Sequence, residues 1–336
     1  MKIISIEAKD EGQRLDKLLF KYLKNAPSSF VYKMLRKKNI VLNNKKATGR
    51  ELLSLNDEIK LFLSDDTIEK FRNGEENKTK ENAAGISVDP SLSLRLKDSI
   101  LYEDDNILAV NKWDNILSQK ASNDDISLNE LCLDYLIKKG EINSDSLSKF
   151  KPSICNRLDR NTTGVILFAK TYIMANALAK SLRERSTHKY YRCIVKGKVS
   201  EEITLNGYIS KDIKSNTVTV FDSQIEGCQP VITKITPIDF NDSLSLLEIE
   251  LITGKTHQIR AHLASIGHPI GGDIKYGSKK FNKELYDRFG VEHQLLHSYR
   301  TVMSKFDGIL SNLSALEITA PLPKEFEEII NVCLEK

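Results

Sequence analysis

The string Cys155-Asn156-Arg157-Leu158-Asp159-Arg160-Asn161-Thr162-Thr163-Gly164 is a polar loop running into the apolar Val165-Ile166-Leu167-Phe168-Ala169. A carboxylate set between two guanidinium groups has its charged form favoured, the form a carboxylate nucleophile needs. Taken alone, the same residues also describe a surface loop of ion pairs. A second string, Thr253-Gly254-Lys255-Thr256-His257-Gln258-Ile259-Arg260-Ala261-His262-Leu263, reads as a loop followed by a helix. Thr256 has the N-cap chemistry, Ile259, Leu263 and Ile266 share a face, and Gly267 is the stop. Arg260 falls at the edge of that face, from which a guanidinium can reach inward. Gly-Lys-Thr is also how a phosphate-binding loop ends, but that motif needs a glycine at position 249, which is Ile249. A third string, Lys189 to Gly197, alternates as a strand with Tyr191, Cys193 and Val195 on one face. A tyrosine there is more often core than a stacking platform.

The elements that must position these residues are legible in outline. Gly164–Ala169 has the continuous apolar character of a buried strand, and Thr171 caps a helix carrying Ile173, Ala177, Leu178 and Leu182. Residues 107–111, 190–195 and 246–251 read as further strands. Near the N-terminus, Leu15, Leu18, Leu19 and Leu23 have helical spacing. Pro27-Ser28-Ser29 then starts a second helix over about 29–37, with Phe30 and Met34 on one face. Ile40-Val41-Leu42 and the alternating Ile59–Leu63 are short strands. Residues 64–97 read as a charged, partly flexible linker, because the run 73–82 contains no apolar residue. The organisation expected is therefore a unit at 1–63, a linker at 64–97 and a larger unit at 98–336.

Charge is distributed unevenly along the 336 residues. Residues 1–63 carry 14 Lys and Arg against 7 Asp and Glu, while the remainder carries 36 against 39. Lys33 to Arg50 holds seven basic residues and no acidic one, which on charge alone describes a polyanion-binding face and a merely solvated one equally well. The five cysteines are scattered and include no Cys-x-x-Cys pair, which argues against a disulfide framework or a zinc site. No 18-residue apolar stretch occurs and the N-terminal apolar run is too short for a signal sequence, so a cytoplasmic protein is expected.

Together these strings resemble the RluA family of pseudouridine synthases. Asn156-Arg157-Leu158-Asp159 with Thr162-Thr163-Gly164 is similar to the family's H-R-L-D-x-x-T-S-G signature. Lys189-x-Tyr191-x-Cys193-x-Val195-x-Gly197 is similar to its K-x-Y-x-A-x-V-x-G strand. Thr253 to Leu263, with Gly267-His268-Pro269-Ile270, Gly272-Asp273 and Tyr276-Gly277, resembles its T-G-R-T-H-Q-I-R block. Ile100 to Asp104 with Val110-Asn111-Lys112 matches the opening of that domain, so the resemblance covers residues 98 to about 325. Asn156, Lys255, Cys193 and Trp113 depart from the usual His, Arg, Ala and Pro. Arg14 to Lys17, Tyr32 to Lys37 and Val41-x-Asn43 separately resemble the small RNA-binding domain first seen in ribosomal protein S-four.

The resemblance implies an α+β protein. Its catalytic domain has a mixed, largely antiparallel sheet flanked by helices, and a small N-terminal α/β RNA-binding domain precedes it. It implies isomerisation of uridine to pseudouridine in structured RNA by a monomer, without metal or cofactor. Ribosomal RNA, of the large subunit, is the expected substrate and transfer RNA the alternative. Asp159 is then the nucleophile, attacking either ribose C1′ or uracil C6, and Arg260 its buried partner. Tyr191 stacks on the uracil and handles a proton, and Arg157 holds the extruded nucleotide. Lys33, Arg36, Lys37 and Lys38 contact RNA from the N-terminal domain. Two rivals are an Asp-dependent enzyme that releases the base and a binding protein with a vestigial site. The first would liberate uracil, and the second is disfavoured by the presence of Asp159, Tyr191 and Arg260 together.

Overall fold

A computed structural model describes residues 1–73, 89–122, 125–212 and 215–334. At the N-terminus, β1 (Lys2–Ser5), α1 (Leu15–Tyr22), α2 (Ser28–Arg36), β2 (Ile40–Leu42), β3 (Lys45–Lys46) and β4 (Glu58–Leu61) form one unit. Its antiparallel sheet runs β1-β4-β2-β3. The leucine repeat buries Leu15, Leu18, Leu19 and Leu23 completely, as its spacing predicts. In α2 the buried positions are Val31, Met34 and Leu35, and Phe30 is only partly covered.

What covers Phe30 lies in the segment expected to be linker. Helix α3 (Asp65–Asn73) brings Phe71 against Phe30 at 4.6 Å and buries Ile68 in the N-terminal core. Its acidic first turn and basic last turn suit the helix dipole. Helix α4 (Pro90–Asp98) starts at an Asp89 cap with Pro90 in its first turn, and packs Leu92 and Leu96 on the core of the larger unit. The linker reading of 64–97 is therefore corrected at both ends. Few apolar residues per turn suffice for a helix that docks on an existing core, and a charged composition hides them. Residues 74–88, which include most of the charged run, lie outside the described residues.

From there follow β5 (Ile100–Glu103), β6 (Ile107–Lys112), α5 (Leu128–Lys138), α6 (Ser144–Lys149), β7 (Ser153–Ile154) and β8 (Thr163–Ala169). Next come α7 (Tyr172–Glu184), β9 (His188–Lys196), β10 (Ile203–Asp212), β11 (Thr217–Phe221), β12 (Gln229–Phe240) and β13 (Leu244–Leu251). The chain closes with α8 (Gln258–Ser265), α9 (Lys279–Phe289), β14 (Leu296–Val302), β15 (Glu317–Thr319) and α10 (Lys324–Cys333). The sheet order is β11-β10-β12-β13-β9-β14-β8-β6-β5, with β7 on β8 and β15 on β14. Among the described residues every pairing is antiparallel except β14 with β8.

Strands β6 and β8 are apolar on both faces because both are covered. Leu108, Val110, Ile166 and Phe168 join a core with α5, α8, α9 and α10, while Ile107, Ala109, Val165 and Leu167 meet Met174 and Leu178 of α7. Thr171 caps α7 as its sequence position implies. Cys132 and Cys193 are buried core residues, and none of the cysteines is bonded.

The N-terminal unit rests on the larger one through Lys149. Its ammonium lies 3.2 Å from the Ser5 carbonyl and 3.5 Å from the buried Asp10 carboxylate. Lys21 in turn lies over the rings of Phe150 and Tyr172.

Candidate active site

The loop between β7 and β8 is held from several directions, and Asp159 is the residue it presents. Asn156 pairs with β8 as a strand residue would, donating to the Val165 carbonyl at 3.2 Å and accepting from Leu167 N–H at 2.8 Å. The Ser118 hydroxyl accepts from Leu158 N–H and donates to the Leu158 carbonyl. Lys112, fully buried at the end of β6, donates to the carbonyls of Trp113, Arg160 and Thr162 at 3.0, 2.7 and 2.8 Å. Burial pulls its pKa down to about 7. Three carbonyl acceptors consume three N–H donors, which only the ammonium form supplies. Gly164 (φ +108°) is required where the loop enters β8, since a Cβ there would strike the Ser298 carbonyl on the parallel neighbour β14.

Helix α8 supplies the counter-charge. Arg260 is buried, with Nη1 donating to Asp159 Oδ2 at 2.8 Å. Its other edge grips Asp273 through Nε–Oδ2 at 2.7 Å and Nη2–Oδ1 at 2.8 Å. Asp273 is fixed in turn by the N–H groups of Lys275 and Tyr276. Burial acts to raise the Asp273 carboxyl, yet the Arg260 hydrogen bond and charge hold it below the usual range. The helix begins at Gln258 rather than at a Thr256 cap, because His257 takes a left-handed backbone (φ 51°). The Gln258 amide oxygen instead accepts from the Thr253 hydroxyl and Lys255 N–H.

That backbone turn aims His257 at the site. Its Nδ1 meets the Tyr276 hydroxyl at 2.9 Å and its Nε2 lies 3.7 Å from Asp159 Oδ2. Tyr276 also accepts from Val218 N–H at 2.7 Å; when it gives its own proton to Nδ1, the neutral imidazole carries its proton on Nε2, facing Asp159. Burial keeps the His257 pKa below its ordinary value despite the nearby Asp159 charge. Arg260 and His257 both engage Oδ2. Among the described residues no group bonds Oδ1, so that oxygen is left to the cleft.

Tyr191, on β9, is buried among core residues and near enough for the Asp159 charge to act on it. Burial pushes its phenol up to about 12, with a Ser298 hydrogen bond acting the other way and the Asp159 charge adding to the rise. It therefore stays protonated as a donor. Arg157 and Arg160 are exposed on the flanks of Asp159.

The structure thus brings Asp159, Tyr191 and Arg260 together, as the sequence suggested. Lys33, Arg36, Lys37 and Lys38 are all exposed at the end of α2, in the separate N-terminal unit. Among the described residues none of them forms an ion pair. Sequence reasoning assigned no role to Lys112, His257, Asp273 or Tyr276. All four stood inside the family-like strings, which was the available signal.

Comparison with known proteins gives the family and the fold. Residues 106–265 match the family model described as RNA pseudouridylate synthase. A protein of Salmonella typhimurium, "Ribosomal large subunit pseudouridine synthase C", is 30% identical over 307 residues, covering 89% of this chain and 87% of that protein. Its namesake from Salmonella typhi is 29% identical over 345 residues, covering 100% and 98%. The human structure "RNA Pseudouridylate Synthase Domain Containing 4" has the same fold, with a TM-score of 0.58 at 20% identity over 73% of this chain and 97% of that one. The chain belongs to the RNA pseudouridylate synthase family, in its RluA branch. It is an RNA-modifying isomerase.

Proposed function

We propose that this chain converts specific uridines of large-subunit ribosomal RNA to pseudouridine in the cytoplasm, with Asp159 as nucleophile. The observation that carries the reading is the one-sided engagement of the Asp159 carboxylate. Arg260, itself fixed by Asp273, holds Oδ2 and leaves Oδ1 without a partner among the described residues, with the Tyr191 phenol near enough to feel the Asp159 charge. A carboxylate that is charge-paired and oriented needs little reorganisation before it attacks. The reaction breaks the N-glycosidic bond and rejoins the same uracil through carbon, so it consumes no group donor. The large-subunit substrate rests on what the relatives are named for. Among the described residues no helix is long and apolar enough to cross a membrane, and that accords with the cytoplasmic setting. Carbodiimide-stop sequencing of ribosomal RNA from a deletion strain and its parent tests the proposal. A stop missing in the deletion and restored by the gene supports it; an identical stop pattern counts against it. Release of free uracil by the purified protein would indicate base excision instead.

Tyr191 is assigned the wall of the uracil pocket and a proton-transfer role. Tyr191→Phe keeps the ring and removes the hydroxyl. It is expected to fold normally, bind RNA as before and turn over roughly 10²–10⁴-fold more slowly, the usual worth of a positioned acid or base. Single-turnover rates with the mapped RNA measure this. Wild-type turnover would make Tyr191 a core residue only.

The N-terminal unit is assigned the role of an RNA-binding module whose exposed basic face neutralises phosphates. A chain beginning at Asp89 keeps α4 with Leu92 and Leu96, and is expected to fold and retain the catalytic site. A start at residue 96 would remove most of that helix and destabilise the domain. The Asp89 chain should bind RNA more weakly, the slope of log K against log salt falling by roughly 0.7–0.9 for each phosphate it no longer neutralises. If the module only adds affinity, excess RNA restores the rate at the same uridine. If it selects the site, excess RNA does not. Equal affinity and equal slope in both chains would remove the module from RNA binding.

A further inference from the structure

Lys189 is a mostly buried cation with nothing to pair with. It stands on the same face of β9 as Tyr191, two residues away, and so projects toward the catalytic cleft. Among the described residues it makes no side-chain hydrogen bond and no ion pair. Burial alone lowers its pKa; no neighbouring carboxylate, Asp159 included, acts on it. The acids nearest in the sheet, Glu248 and Glu250, meet Arg192 and His188 instead. Removing a charge from water without a partner is costly, and a fold that retains one leaves it for something that arrives later.

Gly254 shows the direction from which it arrives. The glycine is exposed, and its φ lies outside the left-handed region, so its backbone does not demand glycine. The single heavy atom that a Cβ there would meet within 4 Å is Lys189 Nζ, at 3.3 Å. Any side chain at 254 would therefore lie over the ammonium. The same loop leads through Lys255 to His257, which faces Asp159. The ammonium thus lies against the loop that leads to His257.

The geometry points to Lys189 as a binding residue for an RNA phosphodiester flanking the uridine that Asp159 attacks, with Gly254 keeping its ammonium uncovered. RNA is the family's substrate, and an RNA chain entering the cleft carries one such anion on each side of the extruded nucleotide. A compact ammonium suits a phosphate as a point charge. The assignment rests on the uridine-isomerising function proposed above.

The test uses the full-length protein and an RNA fragment containing the mapped uridine. Lys189→Met should raise KM about tenfold or more, the worth of one charge-assisted hydrogen bond, with kcat within about twofold. The salt slope should fall by roughly 0.7–0.9. The melting temperature should hold or rise, because no unpaired ammonium has to be desolvated. Gly254→Ala should shift KM in the same direction. The decisive comparison replaces the phosphates next to the target, one at a time, with uncharged methylphosphonates. One of these should weaken binding by the wild type but leave Lys189→Met unaffected. An unchanged KM in Lys189→Met, or equal losses by both proteins at every methylphosphonate, would overturn the assignment. So would a lowered melting temperature with no change in salt slope, which marks a structural lysine. Failure of the wild type to form pseudouridine in any RNA would instead sink the functional reading beneath it.

Discussion

Asp159→Asn is expected to abolish pseudouridine formation, a loss of about 10⁴-fold or more by analogy with the removal of other enzymic carboxylates and nucleophiles. The amide is nearly isosteric, and its oxygen still accepts from Arg260 Nη1, so the loop and the buried Arg260–Asp273 pair should survive. What disappears is the charge and the oxygen nucleophile facing the cleft. RNA affinity should change little, since it rests on phosphates bound elsewhere on the surface. Two measurements on the same preparation decide the matter: equilibrium binding of the RNA and carbodiimide mapping of the product. Substantial turnover by the variant would rule out nucleophilic attack by Asp159.

Arg260→Met has a different expected signature, because it removes one cation from between two carboxylates. Asp273 would be left fully buried with no counter-charge, a change that typically costs about 3–5 kcal/mol. Asp159 would lose the partner that orients it, and activity should fall steeply with it. The pH dependence of stability should also change sign. In the wild type the Asp273 carboxyl lies below its ordinary value of 3.8. It contributes stability that is present above that value and lost as pH falls through the folded-state pKa. Without Arg260 burial is the largest remaining influence and raises the carboxyl, opposed only by the N–H groups of Lys275 and Tyr276. The unfolded chain then ionises first, and stability declines as pH rises across the range above 3.8. Denaturant titrations of both proteins at several pH values would show opposite trends. Parallel trends, with activity retained, would make Arg260 an ordinary helix residue. Asp159→Asn and Arg260→Met are thus separable: the first removes chemistry at constant stability, the second removes both.

How much of this was legible beforehand depended on whether the information is local. The leucines of α1, the run of β8, the Thr171 cap and the alternation of β9 follow from periods of 3.6 and 2, which one segment displays by itself. Asp159, Tyr191 and Arg260 were legible for another reason: they lie in strings whose order resembles one family. The sequence likewise revealed the basic face at Lys33 to Arg50, since exposure of that much like charge follows from its composition.

Meetings between distant segments decided the rest. Arg260 reaches Asp159 across 101 positions and grips Asp273 thirteen residues on, and no periodicity encodes either meeting. In sequence Lys112 is an ordinary strand-end lysine; the fold sets three loop carbonyls around it, 48 and 50 residues away for two of them. His257 took the place of a Thr256 cap because its side chain is drawn to Tyr276 and Asp159 from a left-handed backbone. Helices α3 and α4 were hidden in a charged segment because Ile68, Phe71, Leu92 and Leu96 become core residues only against surfaces built elsewhere. Sequence by itself singled out the side chains to which the chemistry is assigned. Only the tertiary structure decided what pairs them, aims them and keeps them in place, because burial and charge pairing belong to pairs of segments and not to either one alone.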